Sequence, residues 1–251
     1  MDTHTSASDN GRYPEFCLLA SKDDVVFDNF KQNKCYRGIL EHVTPSEGQQ
    51  YYNHFKNNPD ILSKLEKFKI NDLLGNPRKH SFPFGEFSPT TLRYIKVLKD
   101  IIESFDIENM SIIEIGGGYG GQCVIIKEFT NIGKYSIVDI DGPLRLTEKY
   151  LSRLNHSDDV VFINGDDKNY RYDNNYDLVI SNYAISECNT DVQNFYMENI
   201  LRRATHGYIT HNRYNGHTLD NFVLIIKYHG KDVKVFTESP LTSEKNVIIK
   251  W

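Results

Sequence analysis

The stretch Ser111-Ile-Ile-Glu-Ile-Gly-Gly-Gly-Tyr-Gly-Gly121 limits what this chain can fold into more than any other. A run of β-branched residues breaks into a glycine cluster, and Gln122-Cys-Val-Ile-Ile-Lys-Glu-Phe129 then reads as a helix. Strand, glycine turn and helix in that order make a nucleotide-type binding loop, because glycine lets the backbone approach a ligand closely. The glycines fit two spacings. Gly116, Gly118 and Gly121 match a dinucleotide pattern, whereas Gly116, Gly118 and Gly120 match an alternating one. Glu114 tips the choice: a carboxylate two residues before the first glycine would repel a pyrophosphate and would welcome a ligand with a cationic amino-acid end. The plain alternative is a β–α turn that holds nothing.

Composition narrows the partners. The chain has 251 residues, 39% hydrophobic and 25% charged, enough for one large domain or one domain with a helical appendage. A formal charge of -5 argues against a nucleic-acid partner, which usually needs a basic face. Cys17, Cys35, Cys123 and Cys188 show neither paired nor metal-type spacing, so reduced thiols and a cytoplasmic setting are the expectation. No apolar run reaches the length of a membrane span, and the polar start lacks a signal-peptide core. A homo-oligomer stays open.

Residues 1–13 are polar and uncapped and are expected to be disordered. Residues 14–90 read as a helical and loop region. Thr44-Pro45-Ser46-Glu47 is a capping box that starts a helix, and Asp60 is expected to cap a second over 61–69. These helices either cover the ligand site or pad the outside of the sheet. Residues 75–90, rich in glycine, proline and phenylalanine, read as an aromatic loop over a pocket, with His80 reaching in as a substrate contact. Ser88 caps a helix striped by Leu92, Ile95, Leu98, Ile102 and Phe105.

From there, residues 91–251 read as one α/β domain. Strands are predicted at 110–115, 134–139, 159–163, 177–181 and 207–211, with helices at 121–130, 143–154 and 190–204 between them. Thr190-Asp-Val-Gln193 reads as a capping box for the last of these. A helix from about Thr218 and two closing strands, 232–237 and 245–250, complete the domain. The alternation implies a Rossmann-like, mostly parallel sheet of seven strands with helices on both faces.

In such a sheet, ligands bind beyond the carboxyl ends of the strands. That rule selects Gly116, Gly117, Gly118 and Gly120 after the first strand, and Asp139 with Ile140 after the second. Asp139 can take two hydrogen bonds from a ribose diol, with Asp141 the competing acid or a helix cap. Asp166 and Asp167 follow the third strand, where a plain turn acid is the competing reading. Asn182, Tyr183 and Glu187 follow the fourth, and His211 with Asn212 closes the fifth.

Glu114-x-Gly116-x-Gly118-x-Gly120 resembles motif I of the class I S-adenosylmethionine-dependent methyltransferases. The resemblance implies S-adenosylmethionine as cofactor, S-adenosylhomocysteine as product, and a final antiparallel strand in the sheet. It also implies that Asp166, with Asp167 in reserve, meets the adenine amino group, and it adds Asn182 to the cofactor contacts. Nucleobase amino-methyltransferases resemble one another in an Asn/Asp-Pro-Pro-Tyr motif after the fourth strand. Ser181-Asn182-Tyr183-Ala184 lacks those prolines, which demotes a base as substrate. Asn76-Pro77, Ser88-Pro-Thr-Thr-Leu-Arg-Tyr94, Val138-Asp139, Asn182-Tyr-Ala-Ile-Ser-Glu187 and Thr210-His-Asn212 make the chain from Gly75 onward similar to the sugar O-methyltransferases. The acceptor so implied is a sugar hydroxyl, on a nucleotide-sugar or a glycan, with Tyr183, His80 and Asn212 as substrate contacts.

Methyl transfer to a hydroxyl is an in-line displacement, and a base that takes the hydroxyl proton adds about 10²–10⁴-fold. His211 and Glu187 are the candidates, with His211 favoured for its unperturbed pKa. A surface histidine and a helix-start acid are the bland readings of the same residues. No dedicated ligand spacing points to a metal. Three other functions stay open: methylation of a natural-product hydroxyl, an NAD(P)- or FAD-binding oxidoreductase, and a domain that binds without turning over.

Overall fold

The computed structural model describes residues 11–167, 169–172 and 174–251. The first ten residues of the predicted disordered tail lie outside these. Its last residues depart from expectation, because Arg12 opens helix α1 (Arg12–Lys22) and Tyr13 is buried. The reason is docking: Tyr13, Cys17 and Ala20 form the inner face of α1, which packs on a later helix through Gly142.

Helices α2 (Asp24–Phe27), α3 (Lys34–Ile39), α4 (Pro45–Phe55) and α5 (Pro59–Phe68) follow α1. Helix α4 starts on the predicted capping box. Glu47 N–H donates to Thr44 Oγ1 at 3.3 Å, and Thr44 N–H donates to Glu47 Oε2 at 2.7 Å. Helix α5 is capped by Asn58, not Asp60; Ile61 N–H donates to Asn58 Oδ1 at 3.1 Å, and Pro59 takes the first helical position. The segment read as an open aromatic loop contains a hairpin, His80–Phe82 paired with Gly85–Phe87. Its rings are packed, not displayed. Phe84 stacks on Tyr52 of α4 with centroids 3.6 Å apart, and Phe87 is fully buried. Ser88 then caps α6 (Pro89–Ile102), as its sequence predicts.

Seven strands form the sheet: β1 (Ser111–Ile115), β2 (Lys134–Asp139), β3 (Val160–Asn164), β4 (Tyr176–Asn182), β5 (Ala204–His211), β6 (Lys234–Thr237) and β7 (Val247–Lys250). Helices α7 (Gly121–Phe129), α8 (Asp141–Arg153), α9 (Ala184–Glu187), α10 (Thr190–Asn199) and α11 (Leu219–Tyr228) lie between them. The cap of α10 is Asn189, whose Oδ1 accepts from Val192 N–H at 3.0 Å. Gln193, predicted to close a capping box, instead donates to the carbonyls of Ile185, Cys188 and Asn215.

The strand order is β3-β2-β1-β4-β5-β7-β6. The first five are parallel, and β7 runs antiparallel to both β5 and β6. This is the α/β fold predicted, with the antiparallel closing strand. The order reverses between β1 and β4, so a crevice opens at their carboxyl ends. Period-two alternation splits the core in two. Ile112, Ile137, Leu178, Ile180 and Tyr208 face the N-terminal helices, α6, α7 and α8. Ile113, Val138, Val179, Ile209 and Ile249 face the other way, with Phe222 and Ile226 of α11 in the same cluster. The N-terminal helices thus share a hydrophobic cluster with one face of the sheet. Among the described residues all four cysteines are free, and no helix is long and apolar enough to cross a membrane.

Candidate active site

The glycine loop joins β1 to α7 at the switch point. Gly116, Gly118 and Gly120 take φ of 77°, 61° and 88°, a region that L side chains rarely adopt. A Cβ on Gly118 would also lie 2.8 Å from Leu40 Cδ1, because the segment after α3 sits over the loop. Asp139, at the end of β2, folds against it: Gly118 N–H donates to Oδ2 at 3.1 Å and Ile140 N–H to Oδ1 at 2.9 Å.

Burial raises the proton affinity of both acids beside this loop. Glu114 is fully buried in β1, where desolvation pushes its carboxyl up to about 8. The Tyr135 hydroxyl donates to it at 2.8 Å and offsets part of that shift. Desolvation also raises Asp139, to about 7, against the two backbone donors that favour its anion. A neighbouring positive charge would reverse both shifts. The chemistry of this pair therefore fits a cationic ligand.

A cavity of about 650 Å³ opens over the loop, within the size range of small-molecule sites. Glu114, Gly116, Gly117, Gly118 and Asp139 wall one side. Asn182, Tyr183, Glu187, Thr210 and Asn212 come from the ends of β4 and β5 and the segments that follow. Leu40, His42, Tyr51 and Arg93 come from the helical side, and Glu238, Thr242 and Asn246 from the β6–β7 connection. The Nδ2 of Asn182 is buried in this wall without a hydrogen-bond partner among the described residues. A donor so placed is costly unless a ligand accepts from it.

Tyr183 marks the most constrained point. Its φ of 67° places a bulky residue in the left-handed region, and its hydroxyl donates to Glu238 across the cavity mouth. Glu238 in turn accepts from Thr242 N–H at 3.1 Å and Asn246 Nδ2 at 3.1 Å. Nearby, Glu187 is half-buried, and burial raises its carboxyl above the usual range. Asn212 Nδ2 donates to its Oε1 at 2.8 Å, and Asn212 Oδ1 accepts from Ser186 Oγ at 2.7 Å. Glu187 is thus held in place with its proton affinity raised.

His211 is the main correction. It ends β5 as predicted, but its side chain is fully buried on the opposite face from Tyr208 and Thr210, edge-on to Phe222 with centroids 4.9 Å apart. Desolvation lowers its pKa to about 4. Nδ1 accepts from Arg213 N–H at 3.0 Å, and Nε2 has no partner among the described residues. Strand parity, one residue out of step with Thr210, removes it from the cavity. His80 lines a separate, smaller cavity. Asp166 and Asp167 are exposed and outside the cavity wall. Asp166 still presses electrostatically on Asp139, whereas Asp167 accepts from Asn169 N–H at 2.9 Å within its own turn. Ile140 contributes its N–H to Asp139, and Gly120 packs on Thr147 and Leu151.

Several wall residues carry no local signal in the sequence. Arg93 lies in the Ser88–Tyr94 segment, but only the fold shows that its guanidinium donates to Leu40 O at 3.2 Å and lines the cavity. Glu238 reads as an ordinary connection until its pairing with Tyr183 is seen. Among the described residues no three His, Cys, Asp or Glu side chains are grouped to hold a metal.

No protein-family profile matches the chain, and neither does any curated protein sequence. Solved structures do resemble it. A TehB-like SAM-dependent methyltransferase from Corynebacterium glutamicum is 14% identical, with 59% of this chain and 83% of that one covered and a TM-score of 0.48. A SAM-dependent methyltransferase from Aquifex aeolicus is 15% identical over 61% of this chain and 87% of the other, with a TM-score of 0.47. A precorrin-6y C5,15-methyltransferase from Geobacter metallireducens is 14% identical over 62% and 84%, with a TM-score of 0.44.

Proposed function

We propose that this chain transfers a methyl group from S-adenosylmethionine to a hydroxyl of a small polar acceptor, with a sugar as the acceptor class. The observation that carries the reading is the pair Glu114 and Asp139. Two acids with burial-raised pKa values stand at neighbouring strand ends, one on each side of a positive-φ glycine loop. A dinucleotide pyrophosphate would meet repulsion there. The insertion of antiparallel β7 between β5 and β6 also departs from the classic dinucleotide-binding order.

In this reading Glu114 serves the cationic amino-acid end of the cofactor and Asp139 the ribose diol. The buried Asn182 Nδ2 is left for a remaining polar atom of the cofactor. The bound cofactor supplies an electrophilic methyl on a sulfonium. Glu187 takes the acceptor's hydroxyl proton as the oxygen attacks. Its raised proton affinity suits a base working near neutrality, and Asn212 fixes its direction. The sugar assignment rests on the sequence resemblance from Gly75 onward and on the polar walls supplied by Glu47, Thr210, Asn212 and Asn246.

The test is a panel of sugars, sugar phosphates and nucleotide-sugars incubated with the chain and S-adenosylmethionine, with products read by mass. Gain of one methyl on a sugar hydroxyl, lost in Glu187→Gln, is the expected result. Transfer to natural-product hydroxyls alone would overturn the sugar class. No transfer despite tight cofactor binding would leave a binding domain.

A further inference from the structure

A second cavity of about 220 Å³ lies beside the first, and the two share His42 and Val43 in their walls. It is lined by three cations, Lys31, Arg37 and Arg78, together with the imidazoles of His42 and His80, against the single carboxyl of Glu41. These groups come from separate parts of the chain: the turn before α3, α3 itself, the segment leading to α4, and the hairpin with the residues just before it. They converge only in the fold.

Lys31 is answered by aromatic rings, its Nζ lying 4.1 Å from the Tyr119 ring centroid, whereas the two arginines have no carboxylate hydrogen bond among the described residues. Lys31 is buried and donates to two neutral acceptors, the Asn71 carbonyl at 2.9 Å and the Tyr150 hydroxyl at 3.3 Å. Arg37 Nε is buried with no hydrogen-bond partner among the described residues. Arg78 donates through Nε to the neutral Gln32 Oε1 at 3.2 Å, and it is exposed at the mouth. Glu41 interacts electrostatically with Lys31 and leaves the two arginines without a carboxylate hydrogen bond among the described residues. Its Oε2 accepts from Thr90 Oγ1 at 2.9 Å, and burial raises its carboxyl against the pull of Lys31. A buried guanidinium edge left unpaired is the kind of group that a bidentate oxyanion satisfies.

We propose that this second cavity is a phosphoryl subsite, in which Arg37 and Arg78 hold a phosphate or diphosphate group with support from Lys31 and His80. Resting on the methyltransferase reading, this makes the acceptor a phosphorylated one. Its anionic part lies in the small cavity, and its hydroxyl passes His42 into the large cavity toward Glu187. A phosphosugar and a nucleotide-sugar share that chemistry. The charge layout then has a logic: acids face the cationic cofactor, and cations face the anionic acceptor.

The experiment is calorimetric titration of the full chain with inorganic pyrophosphate, in which no cofactor or turnover takes part. Wild type, Arg78→Gln, Arg37→Gln/Arg78→Gln and a distant control, Arg202→Gln, are compared. Binding is expected in wild type and the control, at least tenfold weaker in Arg78→Gln, and undetectable in the double variant. Affinity for S-adenosylhomocysteine should be equal in all four, which also reports that each is folded. Absence of pyrophosphate binding, or binding that all four share, overturns the subsite while leaving the methyltransferase reading intact. If pyrophosphate binds as expected and S-adenosylhomocysteine does not, the subsite stands and the methyltransferase reading falls. A parallel methyl-transfer assay, with one sugar presented free, as its phosphate and as its nucleotide conjugate, separates the two phosphoryl sources. Equal turnover of the free sugar would contradict the proposal.

Discussion

At the scale of single residues, the site turns on which way a side chain points. Asp139 accepts two backbone N–H bonds and stands beside a loop that leaves room for a ligand. Asp139→Ala should weaken S-adenosylhomocysteine by about 1.5–3 kcal/mol, the usual range for a hydrogen bond to a charged group. A titration of that variant checks it. His211 and Glu187 form the second test. Because His211 packs on Phe222 away from the cavity, His211→Ala should lower the melting temperature and leave the turnover of folded protein nearly unchanged. Glu187→Gln should do the reverse, with turnover falling about 10²-fold or more and cofactor affinity retained. The sequence puts His211 at the end of β5, where the fold has it, and Glu187 beyond β4, where it closes α9. It favoured His211 on its unperturbed pKa and could not see which way the ring points, because a one-residue uncertainty in where β5 begins to alternate exchanges its two faces. Arg93 was less legible still. Its role depends on a contact with Leu40, which comes from a segment with no pattern of its own.

Among the elements, those with caps or strong alternation were readable. The Thr44–Glu47 box, the Ser88 cap and the five parallel strands fall within a few residues of their predicted positions. Where two cap candidates compete, the chain chose the one that puts proline at the first helical position. Asn58 wins over Asp60 for that reason. Asn58→Ala should therefore cost about 1 kcal/mol in denaturant unfolding, and Asp60→Ala distinctly less. Equal losses would mean that Asp60 shares the cap. The stretch from α1 to α3 was the least legible. Its helices are short, and what orders them is burial of Tyr13, Phe27, Phe30 and Tyr36 against the α8 side of the sheet. Partners so distant in sequence leave no local trace. The hairpin over 80–87 escaped notice for a related reason, since its phenylalanines read as loop aromatics until Tyr52 is seen beneath Phe84.

For the molecule as a whole, the two raised acids tie stability to pH. In the unfolded chain Glu114 would lose its proton near 4.5, and in the folded chain near 8. Between those values the unfolded state binds fewer protons, so rising pH favours unfolding, and the loss is complete above about 8. Asp139 adds the same sign between 3.8 and about 7. The ligand-free protein should therefore lose thermal stability across that window from these groups. Glu114→Gln should flatten the slope in melting curves taken from pH 4 to 8, and a steeper fall in the variant would contradict the assigned shift. A cationic ligand that draws both acids into their charged form should oppose the loss, and its binding should release protons. The central claim is that the glycine loop and its two acids hold S-adenosylmethionine and not a dinucleotide. Its most direct test is calorimetric titration of wild type and Gly118→Val with S-adenosylhomocysteine, and of wild type with NAD(P)H. Saturable binding of S-adenosylhomocysteine to wild type is expected. It should be lost in folded Gly118→Val, where a Cβ would crowd Leu40 in a left-handed backbone, and NAD(P)H should give no heat of binding. Binding of NAD(P)H without S-adenosylhomocysteine, or full affinity in folded Gly118→Val, would contradict the account.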